Sequence, residues 1–133
     1  MKQSLTAVTA IMMLSTLGCA SSGMHGYKVS PEFARRWGCD YEAVQREYRE
    51  SQAELKEGYV WNPQVGWTVC KLLARVGEPM ATGQVMRSEY LNSVTFYYRI
   101  PPASLLGSWT TATVTLIQDS RHPNWTVSST IGF

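Results

Sequence analysis

Apolar positions along the chain repeat with two different periods. Tyr41, Val44, Tyr48, Ser51 and Leu55 fall at helical spacing, with Asp40 placed to cap and Gly58 to stop, so a helix is expected over about 41–57. Glu42 with Arg46, and Gln52 with Lys56, sit four apart on its solvated side, while the Tyr41–Tyr48 stripe reads as core. Val69, Leu72, Leu73 and Val76 form an i, i+3, i+4, i+7 stripe. Thr68 or Gly66 caps that segment and Gly77 with Pro79 ends it, which predicts a second helix over about 67–76. Ahead of both, Ser30 as N-cap, Pro31 at the first helical position and Gly38 as a stop predict a short helical turn over 31–37.

Beyond Pro79 the period changes to two. Val94, Phe96, Tyr98 and Ile100 alternate with Thr95, Tyr97 and Arg99; Thr110, Ala112, Val114 and Leu116 alternate with Thr111, Thr113 and Thr115. Trp125, Val127, Ser129 and Ile131 form a third run, and Gln84–Tyr90 is a candidate for a further short strand. β-Branched and aromatic residues in alternation suit a half-buried pleated surface. The predicted fold is α+β: two helices packed on one face of a three- or four-stranded antiparallel sheet. The other face is expected to stay open, carrying Tyr97, Arg99, Thr113 and Thr126.

The N-terminus has a different character. Lys2 is the only charge before Lys28, and Leu5–Leu17 is uncharged and mostly apolar, too short to span a bilayer and suited to a secretory leader. It ends in Thr16-Leu17-Gly18-Cys19-Ala20, and a small residue directly before cysteine resembles a bacterial lipoprotein signal. That resemblance implies a signal peptide over 1–18, acylation of Cys19, a lipidated flexible tether over 19–30 and a single domain over 31–133. Ala20 after the cysteine implies delivery to the outer membrane, facing the periplasm. An ordinary signal peptide cut between Ala20 and Gly23 is the other reading.

The chain has 133 residues, 44% of them hydrophobic and 17% charged, enough for one domain with a core. Its net charge of +2 is far below the clustered basic excess of a nucleic-acid binder. Of its three cysteines, lipidation of Cys19 leaves Cys39 and Cys70. An oxidising compartment invites a disulfide between them, worth roughly 3 kcal/mol in the chain-entropy model. A tight antiparallel pairing of the two long helices puts those cysteines near opposite ends, beyond the reach of a bridge, and then both are buried thiols.

Gly66-Trp67-Thr68, Leu72, Val76-Gly77 and Pro79 form the pattern G-x-T-x-x-x-L-x-x-x-V-G-x-P. It resembles the signature of the BamE/SmpA/OmlA-type small outer-membrane lipoproteins, with Trp67 where that family usually has Met. Phe96-Tyr97-Tyr98-Arg99 and Thr111–Ile117 resemble two of its strands, and the likeness covers about residues 59–133. The resemblance implies a two-helix, three-stranded domain that binds envelope proteins. In the family's best-known members the partner is the machinery that inserts β-barrels into the outer membrane.

Catalytic and cofactor motifs are sparse. His25 lies in the expected tether, His122 precedes Pro123, and Asp40 and Asp119 are the only aspartates. The sequence lacks G-x-S-x-G, H-E-x-x-H, phosphate-loop and C-x-x-C patterns, so neither an enzyme nor a cofactor or metal protein is expected. Asn124-Trp125-Thr126 matches a glycosylation pattern, which in a bacterial envelope protein is a chance match. The expected function is a membrane-tethered, non-catalytic interaction module serving outer-membrane assembly. The alternative is an envelope lipoprotein that binds or inhibits another envelope enzyme. Tyr97, Arg99 and Trp109, with the loop from Pro101 to Ser108, are the candidate interaction residues, because exposed aromatic and arginine side chains are the usual anchors.

Overall fold

A computed structural model of the chain describes residues 26–54, 62–102 and 104–133. The expected signal peptide, Cys19, His25, and the end of the first long helix with Gly58 lie outside the described residues. In chain order the elements are α1 (Pro31–Arg36), α2 (Tyr41–Glu54), α3 (Val69–Arg75), β1 (Ala81–Thr82), β2 (Met86–Arg87), β3 (Asn92–Ile100), β4 (Thr110–Gln118) and β5 (Thr126–Ile131). The five strands make one antiparallel sheet in the order β1-β3-β4-β5, with β2 also pairing to β3. Three helices back this sheet, so the α+β architecture expected from the two periods is what the chain forms. Among the described residues no helix is long and apolar enough to cross a membrane.

Local chemistry sets the helix boundaries. The Ser30 hydroxyl accepts from the Phe33 amide at 3.3 Å, and Pro31 opens α1 where its missing N–H costs nothing. Asp40 Oδ1 accepts from the Glu42 amide at 3.3 Å ahead of α2. The Thr68 hydroxyl accepts from the Lys71 amide at 3.2 Å ahead of α3. The G-x-T stretch also borders the sheet. Gly66, Trp67 and Val69 exchange backbone hydrogen bonds with Trp125 and Val127, so the entry to α3 covers the first half of the β5 edge. Gly77 ends α3 with φ +101°, and a Cβ there would lie 2.6 Å from the Tyr27 carbonyl oxygen. Only glycine accepts both the turn and that close approach.

The filled face of the sheet presents Val94, Phe96 and Tyr98 from β3, Ala112, Val114 and Leu116 from β4, and Val127 from β5, all buried. Against them lie Ala34 and Trp37 of the first helical turn, Val44 of α2, and Leu72, Leu73 and Ala74 of α3. Trp37 packs edge-on to Phe96 and to Trp125, with ring centroids 5.0 and 5.6 Å away. Tyr48 is buried and Tyr41 packs at the rim of the core, as the aromatic stripe predicts.

Three features add to the expectations or amend them. First, the expected disulfide joins Cys39 to Cys70, with Cα atoms 5.5 Å apart. The long helices are not the antiparallel pair that separates them. Cys39 just before α2 meets Cys70 at the start of α3, while Glu47 meets Arg75 at 3.2 Å and Ser51 donates to the Ala74 carbonyl further along. α2 and α3 therefore run in the same direction from a shared starting end. Second, the fold reaches back into the expected tether. Tyr27 bridges to Glu78 through two backbone hydrogen bonds, Val29 is buried, and Ser30 donates to the Glu78 carboxylate. Third, β5 does not keep a single period. Ser129 pairs with Thr115 but Val127 pairs with Leu116, leaving Ser128 as a bulge whose hydroxyl donates to the Thr115 carbonyl. Val127 faces the core, whereas Ser129 and Ile131 turn to the open face.

Candidate interaction surface

Pairing register fixes what the open face carries. Ala81, Tyr97, Thr113 and Ile131 form one cross-strand row, and Thr95, Thr115 and Ser129 form the next. Arg99 pairs with Thr111, and Ile117 with Thr126. Tyr97, Arg99, Thr113 and Thr126, expected together on this side, do share it. Ile131 is added to them by the bulge, and it stands 70% exposed. The period-two run of β5 assigns Ile131 to the core, because an unpaired residue leaves no mark on a polar–apolar pattern.

Two of the three anchor candidates touch. The Arg99 guanidinium carbon lies 4.8 Å from the centroid of the Trp109 ring, and both residues are exposed. This arrangement holds the cation and the ring in place ahead of any encounter, which lowers the conformational cost of binding. Tyr97 lies two residues from Arg99 on the same face and is half-buried, its ring beside Gly83. Next to this group, the loop between β3 and β4 ends in Leu105 and Leu106, both fully exposed.

Asp40, Asp119 and His122 each take part in local hydrogen bonding. Asp119 Oδ1 accepts from the backbone amides of Arg121 and His122 and lies 3.2 Å from His122 Nδ1, all within the β4–β5 turn. The His122 amide, then the other donors of the turn, hold the Asp119 carboxyl below its ordinary range. Asp40 is used in the cap of α2, far from that turn in the chain. Among the described residues, no three His, Cys, Asp or Glu side chains gather into a metal-holding group. Tyr98 is wholly buried and donates to the Gly77 carbonyl at 2.9 Å; burial, with Glu78 nearby, pushes its hydroxyl well above the usual tyrosine value.

The chain matches no protein-family model, and no curated protein or solved structure matches it significantly.

Proposed function

We propose that the chain is a lipid-anchored, non-catalytic interaction module of the bacterial cell envelope, held at the outer membrane through Cys19 and binding an envelope protein with the open face of its sheet. The observation that carries this reading is the difference between the sheet's two faces. One is filled by helices, while the other carries Tyr97, an Arg99–Trp109 stack and Ile131 in an exposed group. Aromatic and arginine side chains in a pre-arranged cluster are the residues that concentrate binding energy at interfaces. The leader ending in Gly18-Cys19 supports export and acylation, and the disulfide suits an oxidising compartment. The G-x-T…G-x-P pattern supports a place near the machinery that assembles outer-membrane β-barrels.

The test is affinity capture of the native protein from detergent-extracted envelopes, with the Tyr97→Ala/Arg99→Ala double variant beside it. Barrel-assembly components should co-purify with the wild-type protein and be lost with the variant. Recovery of a single envelope hydrolase instead assigns the module to binding or inhibiting that enzyme. A partner retained equally by both proteins places the contact elsewhere and overturns the assignment of this face.

A further inference from the structure

We infer that the β3–β4 loop is a second membrane contact, in which Leu105 and Leu106 enter the acyl region of the same bilayer that holds the anchor. The inference rests on the anchoring at Cys19 proposed above, and its physical argument starts from where the chain enters the fold.

Tyr27 bridges to Glu78, and the Met80 amide, two residues further on, donates to the Tyr97 carbonyl. Glu78 therefore lies toward the end of β3 at Ile100, from which the β3–β4 loop departs. Only six residues, Ala20 to His25, separate Cys19 from Gly26. Even a fully extended chain of that length spans no more than about 25 Å. An acyl anchor at Cys19 thus keeps this end of the sheet, and not the end with the β4–β5 turn, close to lipid.

The loop at that end suits a hydrocarbon surface. From Ile100 to Gln118 the sequence contains no charged residue, so inserting the tip desolvates no ion. Leu105 and Leu106 are 104% and 100% exposed. Adjacent leucines held wholly in water are a cost to a folded chain unless something covers them. Behind them Trp109 is half-exposed with Arg99 over its ring, a pairing of the kind found at the headgroup level, where an aromatic body meets an apolar layer and a cation stays wet. The opposite end differs. Its large exposed ring, Tyr90, stands among Arg87, Ser88 and Glu89, and the neighbouring turn carries Asp119, Arg121 and His122. The loop supplies orientation: with anchor and tip both at the surface, the sheet stands on its Ile100 end and its open face is presented sideways to a partner.

The experiment uses the protein purified from envelopes with its native N-terminus, placed in vesicles of phosphatidylethanolamine and phosphatidylglycerol in which part of the lipid carries mid-chain bromine. The fluorescence difference between wild type and Trp109→Phe isolates the signal of Trp109. We expect that signal to be quenched by the brominated lipid. With each leucine contributing about tenfold to partition of the loop, Leu105→Glu with Leu106→Glu should abolish the quenching while leaving the melting temperature unchanged. Mass spectrometry of the N-terminus reads the anchor separately. An acylated, vesicle-bound protein whose Trp109 is unquenched overturns the loop contact and leaves the anchor standing. Quenching of Trp109 in an unacylated protein supports the loop contact and overturns the anchor. Cross-linking of the tip to an envelope protein, with Trp109 shielded from bromine, also overturns the lipid contact.

Discussion

The sheet's two faces are made by the same strands, residue against residue, yet one is covered and the other open. In β3, Val94, Phe96 and Tyr98 are buried under the helices, while Thr95, Tyr97 and Arg99, one step along, stay on the open side. The same division runs through β4, where Ala112, Val114 and Leu116 alternate with Thr111, Thr113 and Thr115. A pleat makes this possible because neighbouring side chains never share a face. The lesson is that core and open surface are separable here at single-residue resolution: a substitution at an even position of β3 tests the fold, and one at an odd position tests the surface.

That separation can be broken at several strengths. Phe96 contacts both Phe33 and Trp37 and is fully buried, so Phe96→Ala should cost about 3–5 kcal/mol in urea unfolding. A loss below 1 kcal/mol would mean that the helices do not seal this face. Removing the disulfide with Cys39→Ser and Cys70→Ser should cost about 3 kcal/mol, and reductant should lower the wild-type melting temperature by a comparable amount. An unchanged melting temperature would show that the helix layer holds its parallel arrangement without the bond.

Tyr98 gives a smaller effect that depends on pH. Its hydroxyl is protonated in the fold to a higher pH than in the unfolded chain, because burial raises its value. The folded state then binds the proton more tightly. Its contribution is complete below the ordinary tyrosine value near 10 and is lost as pH rises through the folded value. Tyr98→Phe should therefore flatten the fall in stability above about pH 10, at a cost of about 1 kcal/mol at neutral pH for the bond to Gly77. Smallest of all, Tyr97→Ala with Arg99→Ala should change stability by less than about 0.5 kcal/mol, read by thermal melting, even where partner capture is lost. A larger drop would place these residues in the fold and not on a free surface.

How much of this was legible depends on whether the cause was local. The alternation of β3 and β4, the Thr68 cap and the Gly77 stop are written in residues within a few positions of one another, and the structure follows them. β1 is two residues long and exists because the edge of β3 offers partners to Ala81 and Thr82; no period can announce it. The direction of α2 against α3 shows in contacts distant in sequence, Cys39 with Cys70 and Ser51 with Ala74, and not in either helix's own stripe. Glycine at position 26 looks like linker composition. In the fold its missing side chain is required, since a Cβ would stand 2.7 Å from the Glu78 carbonyl oxygen. For the surface, residue types identified Tyr97, Arg99 and Trp109, but the Arg99–Trp109 stack and the arrival of Ile131 depend on strand register.

Ser128 shows how little it takes to redraw that surface. One surplus residue in β5 moves everything after it by half a pleat, so the side of the sheet on which Ile131 emerges is decided three positions upstream. Shortening the chain by that serine would leave isoleucine outside, opposite Thr113. Straightening the bulge with the serine kept would put threonine outside and isoleucine within at the strand's far end, erasing a greasy landmark without altering a single residue that forms it.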